Sequence, residues 1–137
     1  MDLESVKKIM TGTPNLATAL AMEFISTPEA DECVARMDVN ERTCQPFGYI
    51  HGGSSLALAE TLAGVGSLAL CPGCGCVGVS VSGSHVKTVL VGDTVTARAR
   101  LLSKGHRLHV WKVDIFDTKG NLVSTASVTN YIRPPKV

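Results

Sequence analysis

His51-Gly52-Gly53-Ser54-Ser55-Leu56-Ala57-Leu58-Ala59-Glu60-Thr61-Leu62-Ala63-Gly64-Val65-Gly66-Ser67-Leu68-Ala69-Leu70 is the stretch on which the fold turns. Alanine and leucine are strong helix formers, and they dominate from Leu56 onward. The run is apolar on nearly every side, so a helix here must be buried on most of its faces. Ser54 or Ser55 is the expected cap. The apolar part, Leu56 to Leu70, is interrupted by Glu60 and two glycines. It is also shorter than the ~18 residues a membrane span needs. A core helix is therefore expected.

The remainder of the chain reads as strands. After Cys71-Pro72-Gly73-Cys74-Gly75-Cys76, Val77, Val79 and Val81 alternate with Gly78, Ser80 and Ser82. Val95, Ala97, Ala99 and Leu101 then oppose Thr94, Thr96, Arg98 and Arg100. His109, Trp111, Val113 and Ile115 oppose Lys112 and Asp114, and residues 122–132 form a fourth segment. Two-residue alternation is the mark of a half-buried strand. The links 103–106 and 117–121 have hairpin composition. Upstream of the helix, Cys33, Ala35, Met37 and Val39 share one face of a further strand, and residues 19–26 show a weaker strand pattern. Leu3, Val6, Ile9 and Met10 have helical spacing, and 40–51 is loop. One long helix beside a run of antiparallel strands is α+β, with the helix covering one face of the sheet.

The chain has 137 residues, enough for a single domain spanning 1–137 with its own core. A net charge of +1 and 4% aromatic residues give no electrostatic footprint for nucleic acid and few stacking platforms. The first residues lack the basic-then-apolar order of a secretory signal, and no charged run suggests a membrane surface. The expectation is a cytoplasmic protein whose five cysteines remain thiols. Cys71-x-x-Cys74-x-Cys76 invites a zinc reading, but no second pair completes a four-ligand set, so no metal is expected.

Glu60 is the residue out of keeping with its surroundings. A carboxylate two turns into an apolar helix is costly unless it is paired, solvated or used. One reading places it at the helix edge or against an arginine; the other holds it in an apolar cleft as a base or nucleophile. The helix start favours use. Gly52 and Gly53 expose backbone N–H groups at the positive end of the helix and admit close approach of a ligand, which suits a forming oxyanion. Gln45 and His51 add side-chain donors just upstream.

Gln45-Pro46-Phe47-Gly48-Tyr49-Ile50-His51-Gly52-Gly53 followed by Ala57-Leu58-Ala59-Glu60-Thr61 resembles the signature of hotdog-fold acyl-CoA thioesterases. The branch is that of the Arthrobacter-type 4-hydroxybenzoyl-CoA thioesterase and the enterobactin-pathway proofreading thioesterase. Phenylacetate-degradation thioesterases are cousins that tend to carry Asp where this chain has Glu60. The similarity runs from about residue 20 to 132. The resemblance implies a long helix wrapped by an antiparallel sheet, dimers that share one continuous sheet, and tetramers built from them. It implies an acyl-CoA substrate, including aromatic acyl groups, and no cofactor. It places Gln45, His51 and Gly52 of one subunit opposite Glu60 of the other. The Gly52 N–H polarises the thioester carbonyl, His51 supports the loop, and Glu60 attacks or activates water. Gly53, Thr61, Gly64, Ser84 and His85 are the expected substrate-side residues. Gly64 departs from the proofreading branch, which has a hydroxyl residue one turn after the glutamate, and Thr61 points elsewhere on the helix. His85 matches a family histidine that contacts the acyl group or the pantetheine arm.

Two rival functions share these residues: a hotdog hydratase or dehydratase, and a non-catalytic acyl-CoA-binding module. The Gln45…His51-Gly52-Gly53…Glu60 order favours hydrolysis over the first, and a retained buried acid argues against the second. Lys87, Lys104, His106 and Arg107 are candidate contacts for CoA phosphates, with solvated loop charges as the alternative. Trp111 is expected in sheet packing.

Overall fold

The computed structural model describes residues 1–135; Lys136 and Val137, the end of the expected single domain, lie outside the described residues. Helix α1 (Glu4–Thr11) opens the chain, and its Val6 turns inward. A short α2 (Leu16–Ala19), not expected from the sequence, comes next. Asn15 starts it: its side chain accepts from Ala17 N–H at 2.8 Å and Thr18 N–H at 3.3 Å, while its own N–H donates to Thr18 Oγ1. Strand β1 shrinks to Glu23–Ile25 within the weak 19–26 pattern, and β2 covers Glu32–Asp38.

The long helix α3 spans Gly52–Leu70, and β3 (Gly75–His85), β4 (Thr94–Lys104), β5 (Leu108–Phe116) and β6 (Leu122–Arg133) complete the chain. The six strands form one sheet in the order β1-β2-β4-β5-β6-β3, antiparallel throughout. The alternation read from the sequence is obeyed in the sheet's middle. Cys33, Ala35, Val95, Ala97, Ala99, Trp111, Val113 and Ile115 are all fully buried beneath α3. At 19 residues α3 is longer than the apolar run read from the sequence, and by length and composition alone it suits a membrane span. Here the sheet packs on it instead, and Leu58, Ala59, Leu62 and Ala63 have no exposure.

Close packing explains Gly66. A Cβ there would lie 2.6 Å from the Trp111 ring and 3.1 Å from Cys33 Sγ, so the indole packs directly on the helix backbone. Next to it, Ser67 Oγ receives Trp111 Nε1–H at 2.9 Å and Asn130 Nδ2–H at 3.1 Å, and lies 2.9 Å from His109 Nδ1.

Three expectations are corrected. The valines of β3 do not share one buried face: Val77 and Val79 are 49% and 58% exposed, whereas Val81 packs partly against the core. The reason is a bulge, since Gly78 pairs with Asn130 and Ser80 with Thr129, leaving Val79 as an extra residue. An extra residue shifts the phase of alternation beyond it. Second, neither Ser54 nor Ser55 caps α3. His51 is the cap, its Nδ1 accepting from Gly53 N–H at 2.7 Å. The Ser54 hydroxyl instead donates to the carbonyl region of the preceding loop, with Thr43 O at 2.9 Å and His51 O at 2.7 Å. Third, the cysteines are not all thiols: Cys71 and Cys74 form a disulfide, and Cys33, Cys44 and Cys76 are free. Burial pushes the Cys33 thiol up to about 12, which makes it inert at neutral pH.

Candidate active site

The loop before α3 is tightly fastened, which fixes the helix entrance. His51 N–H donates to Thr43 O at 2.8 Å, Gln45 N–H to Tyr49 O at 2.9 Å, and Ile50 N–H to Val89 O at 2.9 Å. Gly48 makes the turn with φ of 86°, a left-handed conformation that favours glycine. Phe47 stacks on Tyr49 with ring centroids 6.3 Å apart. The loop expected over 40–51 is therefore a narrow, doubly anchored turn.

This turn delivers Gln45 to a cavity of about 340 Å³ whose walls include Gly52, Ser55, His85, Lys87 and Ser124. Its size sits at the lower end of small-molecule sites. The amides at the helix start are unequally occupied. Gly53 N–H is held by His51, while Ser54 N–H and Ser55 N–H donate to His51 O at 3.0 and 3.3 Å. Among the described residues Gly52 N–H has no acceptor. An unpaired amide at a helix start, beside a cavity, is a donor ready for a carbonyl oxygen.

His85 closes over Gly52. A Cβ on Gly52 would lie 2.6 Å from His85 Nε2, so glycine is needed at 52 for the imidazole to approach the helix. Ser124 holds the ring from behind, its Oγ 2.8 Å from His85 Nδ1. Nothing in the sequence marks Ser124, because only the β3–β6 register places it opposite His85. Ser55, expected only as a possible cap, belongs to the cavity wall. Its hydroxyl is buried and has no hydrogen-bond partner. A buried hydroxyl left free is uncommon and calls for a water or ligand partner.

Glu60 stands apart from this cavity. It is eight positions from Gly52, about 12 Å of rise along one helix. It is half-buried, and among the described residues it forms no ion pair or side-chain hydrogen bond. Its carboxylate rests against Gly78 of β3. Gly64, one turn on, shares its flank of α3, and a Cβ there would meet nothing within 4 Å; Thr61 is also half-buried but turned about 100° round the helix. The cavity thus brings Gln45, Gly52 and His85 together; His51 and Gly53 build its helix entrance; Glu60, Thr61 and Gly64 lie further along. Ser84 alternates with inward His85 and is exposed on the sheet's other face.

Of the candidate phosphate contacts, Lys87 is engaged by Asp117. That lysine, with the N–H groups of Asn121 and Lys119, holds the Asp117 carboxyl well below the usual carboxylate range. Lys104, His106 and Arg107 are exposed around the β4–β5 turn. Among the described residues no cluster of three or more His, Cys, Asp or Glu is arranged to hold a metal ion.

The model of the Thioesterase superfamily matches residues 47–124. A putative esterase, ComA2, of Bacillus subtilis is 40% identical over 83% of this chain and 90% of its own length. The 1,4-dihydroxy-2-naphthoyl-CoA hydrolase of Escherichia coli is 37% identical over 74% of this chain and 75% of its own. Among solved structures, thioesterase HI1161 of Haemophilus influenzae superposes with a TM-score of 0.87 at 33% identity, covering 98% of this chain and 92% of that one.

Proposed function

Because the chain belongs to the thioesterase superfamily, whose members hydrolyse acyl-CoA-like thioesters, we propose that it cleaves an acyl-CoA at a site shared by two subunits, with Glu60 supplied across the interface. The observation that carries this reading is the separation within one chain. Gly52 and Glu60 are eight positions apart on α3, an axial rise of about 12 Å, which separates the free amide from the unpaired carboxylate by more than two turns. A second copy with its helix alongside brings the two together. Strand β3 suits such pairing: it is the sheet's edge, 11 residues long and exposed over most of its length. Long unprotected edges invite a further strand.

In the proposed reaction the thioester carbonyl docks on Gly52 N–H, with the Gln45 side chain beside it. Glu60 of the partner subunit takes a proton from water as the water oxygen bonds to the carbonyl carbon. The C–S bond then breaks, the electron pair leaves with sulfur, and the products are the free acid and CoA. Direct attack by Glu60, through an anhydride that water opens, uses the same placement. Single-turnover hydrolysis in ¹⁸O-water separates the two routes, because only direct attack transfers label into the enzyme. His85, fixed by Ser124 over Gly52, faces the acyl end. The E. coli relative, named for a hydroxynaphthoyl-CoA, supports an aromatic acyl group.

Glu60→Ala is expected to lose about 10²–10⁴ in kcat, the usual worth of a positioned base, with fold and assembly intact. Subunit mixing tests the shared site. Glu60→Ala and Gln45→Ala chains, each weak alone, should regain activity when exchanged, since one of the two sites in a mixed dimer is then wild type. Undiminished turnover in Glu60→Ala removes the carboxylate from the mechanism; no recovery on mixing removes the shared site.

A further inference from the structure

We infer that Gly78, together with the bulge at Val79, is a positioning element for the Glu60 carboxylate: a seat on β3 kept open by the absence of a side chain. The inference rests on the reading of Glu60 as the reacting carboxylate, and adds to it the strand residue that fixes where that carboxylate stands.

Space, not backbone conformation, accounts for glycine at this position. The glycines with positive φ are Gly48, Gly73, Gly92 and Gly120, and Gly78 is not among them. A glycine inside a strand weakens it, and usually marks a bulge or a close approach. Here both occur. A Cβ on Gly78 would overlap Oε1 of Glu60 and come within 3.1 Å of Cδ and 3.3 Å of Cγ. Three side-chain atoms of the glutamate, Cγ, Cδ and Oε1, thus lie directly on the strand. No ion pair or side-chain hydrogen bond among the described residues holds that side chain in any other way.

The bulge makes this seat compatible with the rest of the cavity. Gly78 and His85 are seven positions apart, an odd number, so a regular strand would turn them to opposite faces. The extra residue at Val79 restores them to one face. The space above Gly78 is occupied by Glu60, that above Gly83 includes Leu56, and His85 meets Gly52. Strand β3 therefore touches α3 at both functional points, the carboxylate and the carbonyl-binding amide. Bulges recur beside active sites because they re-aim side chains in this way.

The test is a double-mutant cycle on acyl-CoA hydrolysis with Gly78→Ala, Glu60→Asp and their combination. Gly78→Ala is expected to lower kcat by up to about 10²-fold, the scale of a misplacement near 1 Å, with KM little changed because Gln45, Gly52 and His85 are untouched. Glu60→Asp draws the carboxylate back by one methylene. In that background the overlap with Oε1 is relieved and only the contact near Cγ, 3.3 Å away, remains, so adding Gly78→Ala should cost less than threefold. Equal fold-losses in both backgrounds, or full kcat in Gly78→Ala, overturn the inference. If Gly78→Ala does not fold, Glu60→Ala/Gly78→Ala should fold, because the colliding side chain is gone; failure of that variant also overturns it. Glu60→Ala keeps the two claims separate. An active Glu60→Ala enzyme defeats the functional reading itself, whereas an inactive one beside a fully active Gly78→Ala enzyme defeats only the seat.

Discussion

The two ends of α3 each bury a serine hydroxyl, and the two are treated in opposite ways. Near the end of the helix, Ser67 Oγ is saturated. Trp111 Nε1–H and the Asn130 amide are donors, so they fill both lone pairs of the oxygen. His109 Nδ1 lies 2.9 Å from the same oxygen and is its third side-chain partner. Near the start of the helix, Ser55 is as deeply buried and has no partner among the described residues, and Gly52 N–H beside it is equally free there. A saturated hydroxyl ties strands to a helix. A free one, on the wall of a cavity, is a group awaiting something the chain does not itself provide. The hydroxyl itself marks the difference between the scaffold end of the helix and the working end: Ser67 Oγ is engaged at one, although Asn130 Oδ1 beside it has no partner among the described residues, and Ser55 Oγ is free at the other.

The largest effect that sharpens this contrast is expected at Ser67. Ser67→Ala leaves an indole N–H, an amide and an imidazole without their shared partner, in a site with no solvent. A loss on the order of 3 kcal/mol or more results if each orphaned group costs at least ~1 kcal/mol. Denaturant unfolding measures it. A loss below ~1 kcal/mol would mean that water or a rearranged Asn130 replaces the hydroxyl, and the hub would lose its structural meaning.

Ser55→Ala should behave in the reverse sense. It removes a hydroxyl with no bond to lose, so stability should hold within about 0.5 kcal/mol or rise. Turnover should fall by about tenfold, the worth of one hydrogen bond to bound substrate or ordered water near the carbonyl. Thermal melts and acyl-CoA kinetics on the same preparation decide it. A variant that is destabilised yet fully active would place Ser55 on the scaffold side and break the comparison.

The scaffold end was largely legible in the sequence, and the working end only in part. Period-two alternation in β4 and β5 predicts Val95, Ala97, Trp111 and Val113 as core, because in mid-sheet nothing interrupts the pleat. The composition of α3 predicts a buried helix, and Glu60 stands out there because charge is so costly in that setting. The resemblance to acyl-CoA thioesterases, carried by Gln45 through Gly53 and Ala57 through Thr61, supplied the fold type and the superfamily. The hidden features depend on pairing between distant strands. The phase change at Val79 exists only relative to β6, so the alternation of Val77, Val79 and Val81 with Gly78, Ser80 and Ser82 reads as unbroken in the sequence. Ser124 and Ser67 are ordinary serines until the register sets them against His85 and His109. The cap went to His51 rather than Ser54 because its imidazole accepts the Gly53 amide, an arrangement that residue preferences alone do not suggest.

The smallest effect lies in the pH response of the Ser67 hub. Burial, with the positive charge of Lys104 adding to it, lowers the pKa of His109 from its ordinary 6.5. Between that ordinary value and the lower folded one, the unfolded chain binds more protons than the folded chain, so stability rises with pH through the window. The contribution is complete above about pH 6.5 and is lost as pH falls through the folded value. Asp117, also depressed, responds in the same direction but from its ordinary 3.8 downward, so the two losses occupy separate ranges. His109→Gln keeps an acceptor for Ser67 without a titrating ring. Its melting temperature should therefore fall less than that of wild type between pH 7 and 5, while the two proteins should lose stability in parallel below pH 4. Equal slopes in the upper range would show that His109 does not couple to folding.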